Sequence, residues 1–271
     1  MSVAASLHDL HRPLGDTGLT VSPLGLGTVK LGRDQGVKYP NGFTIPDDFA
    51  ARALLDLARE LGLNLLDTAP AYGHSEERLG PLLRGRRQDW VIVSKVGEEF
   101  DGGHSWFDFS AAHTRRSVER SLQRLETDFL DLLLVHSDGH DLAVLDSEVY
   151  PTLAALKAEG KIRAFGFSGK TVAGGLRALQ DGDCAMVTYN LNEQAERPVL
   201  DYAAAHGKGI LIKKALASGH ACLAPGVDPV RASFELVFGH PGVSAAIIGT
   251  INPLHLSHNV ATAANVIRTI S

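Results

Sequence analysis

Four residues of this chain have the types and spacing to carry out chemistry together: Asp67, Tyr72, Lys95 and His136. Three of them close short apolar runs. Asp67 ends Leu63–Asp67, Lys95 follows Val91-Ile92-Val93-Ser94, and His136 follows Leu132-Leu133-Leu134-Val135; Tyr72 lies just beyond Asp67. The set suits reduction of a carbonyl. Hydride transfer to a ketone or aldehyde leaves an alkoxide that needs a proton. A tyrosine, with an ordinary pKa of about 10, can give that proton if its acidity is raised. An adjacent lysine ammonium stabilises the tyrosinate. A lysine at the rim of an apolar core needs a counter-charge, and Asp67 is placed to give one. His136 directs the carbonyl oxygen and donates a hydrogen bond to it. The hydride must come from a cofactor, since no side chain supplies one.

These residues need strands that end side by side. Short apolar runs recur at Val21–Thr28, Leu63–Asp67, Trp90–Lys95, Phe129–His136, Ile162–Ser168, Ala185–Asn190, Gly209–Ile212 and Ser244–Thr250, each of a length that suits a strand buried on both faces. Helical patterns separate them, near Asp47–Leu61, Ser75–Leu83, Ser110–Glu126, Tyr150–Glu159, Thr171–Leu179, Glu196–His206, Pro229–Phe238 and Pro253–Arg268. In the first, Leu54, Leu57, Ala58 and Leu61 share one face and Gly62 stands in the stop position. Pro81 and the Gly174-Gly175 pair interrupt the second and fifth. Eight strands alternating with eight helices predict parallel strands joined by helical crossovers, a (β/α)8 TIM barrel of the α/β class. Before it, Leu14–Val21 reads as a β-hairpin that closes the bottom of the barrel. No linker is visible, so residues 1–271 are read as a single domain. A doubly wound sheet is the rival, but Leu24-Gly25-Leu26-Gly27-Thr28 lacks the third glycine of a dinucleotide turn.

Composition narrows the functional classes. The 271 residues are 44% hydrophobic with a net charge of −5, enough for a core and without the basic blocks of a nucleic-acid surface. Cys184 and Cys222 form no disulfide framework or zinc spacing, and the twelve histidines are scattered, so no metal site is expected. Asp138, His140 and Asp141 lack a closed ligand set. Neither a signal peptide nor a membrane span is apparent, which predicts a cytoplasmic protein with a small-molecule substrate, monomeric or a small homo-oligomer.

In order and spacing the blocks resemble the aldo-keto reductase family, as a short bacterial-type member. They are Leu66-Asp67-Thr68-Ala69-Pro70-Ala71-Tyr72-Gly73 with Ser75-Glu76, Val93-Ser94-Lys95-Val96-Gly97, Ser121-Leu122-Gln123-Arg124-Leu125 leading to Asp131-Leu132-Leu133-Leu134-Val135-His136, and Gly160-Lys161-Ile162-Arg163-Ala164-Phe165-Gly166-Phe167-Ser168. The resemblance implies that Tyr72 is the general acid/base in a tetrad with Asp67, Lys95 and His136. It also implies NADP(H) or NAD(H) extended across the barrel mouth, held by Gly27, Thr28, Ser168, Gly169, Lys213, Lys214, Leu216, Ser218, Gly219, Gly249, Thr250 and Asn259.

The chain departs from the family pattern at several of these positions. Gly169 stands where an asparagine is usual, Met186 where a glutamine is, and Lys213 where many members stack a tyrosine on the nicotinamide. Lys213 or Lys214 would add charge near the pyrophosphate, beside the Ala-Leu-Ala-Ser-Gly turn. Around the adenosine-phosphate end, Gly249, Ile251 and His255 occupy positions where NADP-specific members place Lys or Arg. Weak selection for the 2′-phosphate is therefore expected. Val29, Lys30, Trp106, His136 and the loop 137–146 are expected around the substrate. The tetrad predicts interconversion of aldehydes or ketones with alcohols; aldose 1-dehydrogenase activity in the oxidative direction, or a nicotinamide-sensing regulatory subunit, are the alternatives. A lyase or isomerase without a redox cofactor is the third class. With all strands and helices used by about Arg268, the length predicts an open pocket without a C-terminal lid.

Overall fold

The computed structural model describes residues 6–37, 42–217 and 227–270. In chain order its strands are β1 (Arg12–Pro13), β2 (Thr20–Val21), β3 (Leu24–Gly27), β4 (Leu65–Asp67), β5 (Val91–Val96), β6 (Glu98–Asp101), β7 (His104–Phe107), β8 (Leu130–His136), β9 (Ile162–Ser168), β10 (Cys184–Thr188), β11 (Gly209–Lys213) and β12 (Ala245–Ile248). The helices are α1 (Val29–Gly32), α2 (Asp48–Glu60), α3 (Ser75–Leu82), α4 (Ala111–Arg124), α5 (Asp141–Leu145), α6 (Val149–Ala158), α7 (Val172–Asp181), α8 (Arg197–His206), α9 (Pro229–Phe238) and α10 (Pro253–Ile270).

Eight parallel strands close into a barrel in the order β3-β4-β5-β8-β9-β10-β11-β12. This is the (β/α)8 TIM barrel, and each predicted run supplies one of its strands. The predicted first run divides: Val21 belongs to β2, because Ser22 donates its hydroxyl to the Leu24 carbonyl and turns the chain before β3 begins. The predicted helices all form. Two short ones are additional: the single turn α1 directly after β3, and α5 after β8.

Alternation along the strands divides the core. Leu65, Val93, Leu132, Leu134, Ala164, Cys184, Met186, Leu211 and Ala245 fill the barrel interior. Their neighbours in sequence, such as Leu66, Ile92 and Leu133, pack outward with the helices. The β1–β2 hairpin pairs antiparallel and adds Leu14, Leu19 and Val21 to the inner cluster, so it plugs one end of the barrel.

Gly174 allows α7 to approach its neighbours. A Cβ there would lie 2.3 Å from the Asp141 side chain. The glycine that weakens helix propensity is therefore required by packing.

Candidate active site

The inward parity of each strand, continued to its C-terminal end, selects the polar residues at the barrel mouth. Following Leu65 it reaches Asp67; following Val93, Lys95; following Leu134, His136; following Leu211, Lys213. Adjacent registers set them side by side: Lys95 pairs with Leu134, and His136 with Ser168. Tyr72 comes from the single helical turn Pro70–Tyr72 after β4.

Asp67 joins two of these groups. Lys95 Nζ donates to Asp67 Oδ1 at 2.5 Å and to the Thr68 carbonyl at 3.0 Å, while the Tyr72 hydroxyl donates to Asp67 Oδ2 at 3.2 Å. The ammonium also lies 4.7 Å from the centre of the Tyr72 ring. Both members of the ion pair are buried. A phenol that bonds a carboxylate resists ionisation, because two anions would face each other. The ammonium bound to the same carboxylate offsets that repulsion.

His136 meets a carboxylate that the sequence reading missed. Its Nδ1 is 2.6 Å from Glu98 Oε2. Burial favours protonation of Glu98, but the contact with His136, a hydrogen bond from Ser105 and the charge of Arg33 outweigh it and hold the carboxyl at about 2. Burial lowers the pKa of His136; Glu98 opposes this, while Lys95 and Lys213 reinforce it.

The cavity at this mouth has a volume of 710 Å³ and is lined by Tyr72, Asp67, Lys95 and His136 together with Gly27, Val29, Lys30, Ser168, Met186, Lys213, Lys214, Leu216, Gly249, Thr250, His255, His258 and Asn259. It thus runs from the barrel centre to the start of α10. Of the residues expected to hold a cofactor, Gly27, Ser168, Lys213, Lys214, Leu216, Gly249, Thr250 and Asn259 line this cavity. Gly169 is not among the lining residues, although its carbonyl bonds a group that is. Ser218 and Gly219 lie outside the described residues.

Several expectations need correction. Thr28 is fully buried and its hydroxyl donates to the Asp67 carbonyl, so it supports β4 rather than facing the cavity. Trp106 is carried away from the mouth by the β6–β7 hairpin. Its ring meets His113 edge-on and borders a separate cavity of 620 Å³. The loop 137–146 is engaged elsewhere: Asp141 accepts from the Ser137 hydroxyl and from the Lys170 and Thr171 amides. Lys213 is engaged at the barrel mouth. Its Nζ donates to Ser168 Oγ at 3.1 Å and to the Gly169 carbonyl at 2.6 Å. Burial, aided by the charges of Lys214 and Lys95 and opposed by those of Glu196 and Asp141, lowers its pKa to about 8. His258 also lines the cavity: it stands three residues after His255 and beside Asn259, on one face of α10, a spacing by which the sequence could have marked it.

A family profile, the Aldo/keto reductase family, matches residues 23–222. The chain belongs to the aldo-keto reductase family. A solved Pseudomonas aeruginosa structure assigned to the aldo-keto reductases superposes with a TM-score of 0.90 at 72% identity, covering 98% of each chain. The chain is 33% identical over 221 residues to L-galactose dehydrogenase of Arabidopsis thaliana, covering 77% of this chain and 66% of that protein. It is 30% identical over 232 residues to D-threo-aldose 1-dehydrogenase of a Pseudomonas species, covering 74% and 68%. The chain spans about half to two thirds of the length of the first curated relatives it matches. Among the described residues, no helix is long and apolar enough to cross a membrane.

Proposed function

We propose that this chain is a single-domain, NAD(P)(H)-dependent oxidoreductase that interconverts aldehydes or ketones with alcohols. The observation that carries this reading is the bridge from Tyr72 through Asp67 to Lys95 at one end of the cavity that His136 also lines. When bound, a nicotinamide dinucleotide supplies or accepts the hydride.

The side chains do the rest. In reduction the Tyr72 hydroxyl turns from Asp67 to the carbonyl oxygen and gives it the proton as the carbon gains hydride. Lys95 stabilises the phenolate that remains, and Asp67 holds the ammonium in place. His136 orients the carbonyl oxygen. Oxidation reverses each step, with Tyr72 taking the alcohol proton. Ser168 and the residues from Gly249 to Asn259 are the groups available to hold the two ends of the cofactor, with Lys214 and Leu216 between them.

Two relatives are named as dehydrogenases of sugars, so aldoses belong in the substrate screen beside simple aldehydes and ketones. The test is Tyr72→Phe. A catalyst should lose about 10²–10⁴-fold in kcat while its fluorescence titration with NADPH or NADH is unchanged. Equal turnover in the variant would overturn the assignment of Tyr72. Failure of wild type to bind either dinucleotide would overturn the reading of the whole site.

A further inference from the structure

Two lysines line the catalytic cavity at the ends of barrel strands, and they are treated differently. Lys95 has a carboxylate at 2.5 Å. Lys213 ends β11 on the same inward parity, but its two acceptors, Ser168 Oγ and the Gly169 carbonyl, are neutral. No ion pair of Lys213 occurs among the described residues. The charges that act on it come from Glu196, Asp141, Lys214, Lys95 and His136. The two anions are already engaged: Asp141 with the start of α7, and Glu196 with the Thr188 amide at 2.8 Å. Neither carboxylate forms an ion pair with the Lys213 amine, so the wall of the cavity carries a cation that Glu196 and Asp141 offset only from a distance.

This matters for any hydride carrier in the cavity. The reacting carbon must lie within about 3–3.5 Å of the hydride it exchanges. Its oxygen must also reach Tyr72. The nicotinamide ring therefore shares the cavity with Lys213. The oxidised ring bears a positive charge and the reduced ring bears none. A cation in a wall of low dielectric opposes the first and is indifferent to the second.

We propose that Lys213 is a specificity-determining residue for the redox state of the cofactor, weakening the hold on the oxidised dinucleotide relative to the reduced one. The inference rests on the nicotinamide reading of the site. It does not alter the overall equilibrium of the reaction. It sets which form of the cofactor is retained and which is released, and so favours turnover in the direction of carbonyl reduction. Because burial brings Lys213 into titration at about 8, the effect fades as pH rises through that value.

The experiment is a set of dissociation constants for NADPH and NADP+, measured on the full chain by fluorescence and calorimetry from pH 6.5 to 9.5. The 2′-phosphate is common to both forms, so the ratio of the two constants isolates the ring. Wild type should lose about tenfold of its preference for NADPH across this range. Lys213→Met should show a flat ratio at the high-pH value of wild type. Lys213→Arg, which keeps its charge, should stay at the low-pH value. A Lys213→Met ratio that still follows the wild-type curve would overturn the inference while leaving the cofactor reading intact. So would an unchanged ratio accompanied only by a raised KM for an anionic substrate, which would make Lys213 a substrate anchor. Absence of binding by both forms would overturn the nicotinamide reading, and this inference with it.

Discussion

Glu98 Oε2 and His136 Nδ1 lie 2.6 Å apart, with Glu98 held anionic. An anion so close favours a proton on Nδ1, although the two groups are not aligned as a hydrogen bond, and Nε2 would then donate to a carbonyl only when the ring is an imidazolium. Glu98 raises the pKa of that ring against burial and against Lys95 and Lys213. Glu98→Gln removes the charge and keeps the shape. The basic limb of the kcat/KM profile for reduction should then move to lower pH. At pH 7.5 the loss should be about tenfold, with cofactor affinity unchanged. A variant with the wild-type profile would show that Glu98 serves packing alone.

The Asp67–Lys95 pair makes a prediction about stability that separates structure from catalysis. Both groups are buried, so Asp67→Asn leaves an ammonium without its counter-charge. The cost should be about 3–5 kcal/mol in urea unfolding. The double variant Asp67→Leu with Lys95→Met removes both charges and should recover most of that stability. Activity should not return, because Tyr72 then has neither partner. Recovery of turnover in the double variant would contradict the roles given to both residues.

How much of this was legible in the sequence follows from strand geometry. Asp67, Lys95 and His136 each close an apolar run on the inward parity, so the period of two that defines the strand also aims the polar residue at its end. Glu98 follows Gly97 into the β6–β7 hairpin, outside any period that points at the site. The direction of that hairpin is equally invisible, and it takes Trp106 away from the cavity. Thr28 follows Leu24 and Leu26 on the outward parity, unlike the others, and its hydroxyl donates to the Asp67 carbonyl, a partner distant in sequence. Tertiary partners of this kind leave no local signature.

Gly169 departs from the family pattern for a reason that packing supplies. A Cβ at this position would lie 2.9 Å from Asp141 Oδ2 and 3.0 Å from the Phe167 ring. That carboxylate oxygen cannot withdraw without giving up the Lys170 and Thr171 amides and the Thr171 hydroxyl. Gly169→Asn should therefore destabilise the fold, by about 1–3 kcal/mol in thermal or urea unfolding. Gly169→Asn combined with Asp141→Ala should recover part of the loss attributable to overcrowding. Gly169→Asn as stable as wild type would mean that the loop yields freely.

Lys213 should also leave a signature in stability against pH. Its proton is lost at about 8 in the folded chain and near 10.5 in the unfolded one. Between these values only the unfolded state holds the proton, so wild-type stability gains a term that rises with pH across the window. Lys213→Met lacks this term. The stability difference between variant and wild type should favour the variant most below pH 8 and shrink steadily toward pH 10. A difference independent of pH would show that folding leaves the proton affinity of this amine unchanged.

The adenosine end of the cavity bears on the choice of dinucleotide. From Gly249 to Asn259 its lining residues are Gly249, Thr250, His255, His258 and Asn259, with no lysine or arginine among them. Residues 218–226 contain none either. A histidine offers less positive charge at neutral pH than the lysine or arginine that clamps a phosphate. The preference for NADPH over NADH in kcat/KM should therefore stay below about tenfold, or ~1.4 kcal/mol. Replacement of His255 by arginine should raise it, by lowering the KM for NADPH with little change in that for NADH. Steady-state kinetics with both cofactors at pH 7.5 and again at pH 6 will check this. A wild-type preference well above tenfold at pH 7.5 would place a further cation at this end of the site.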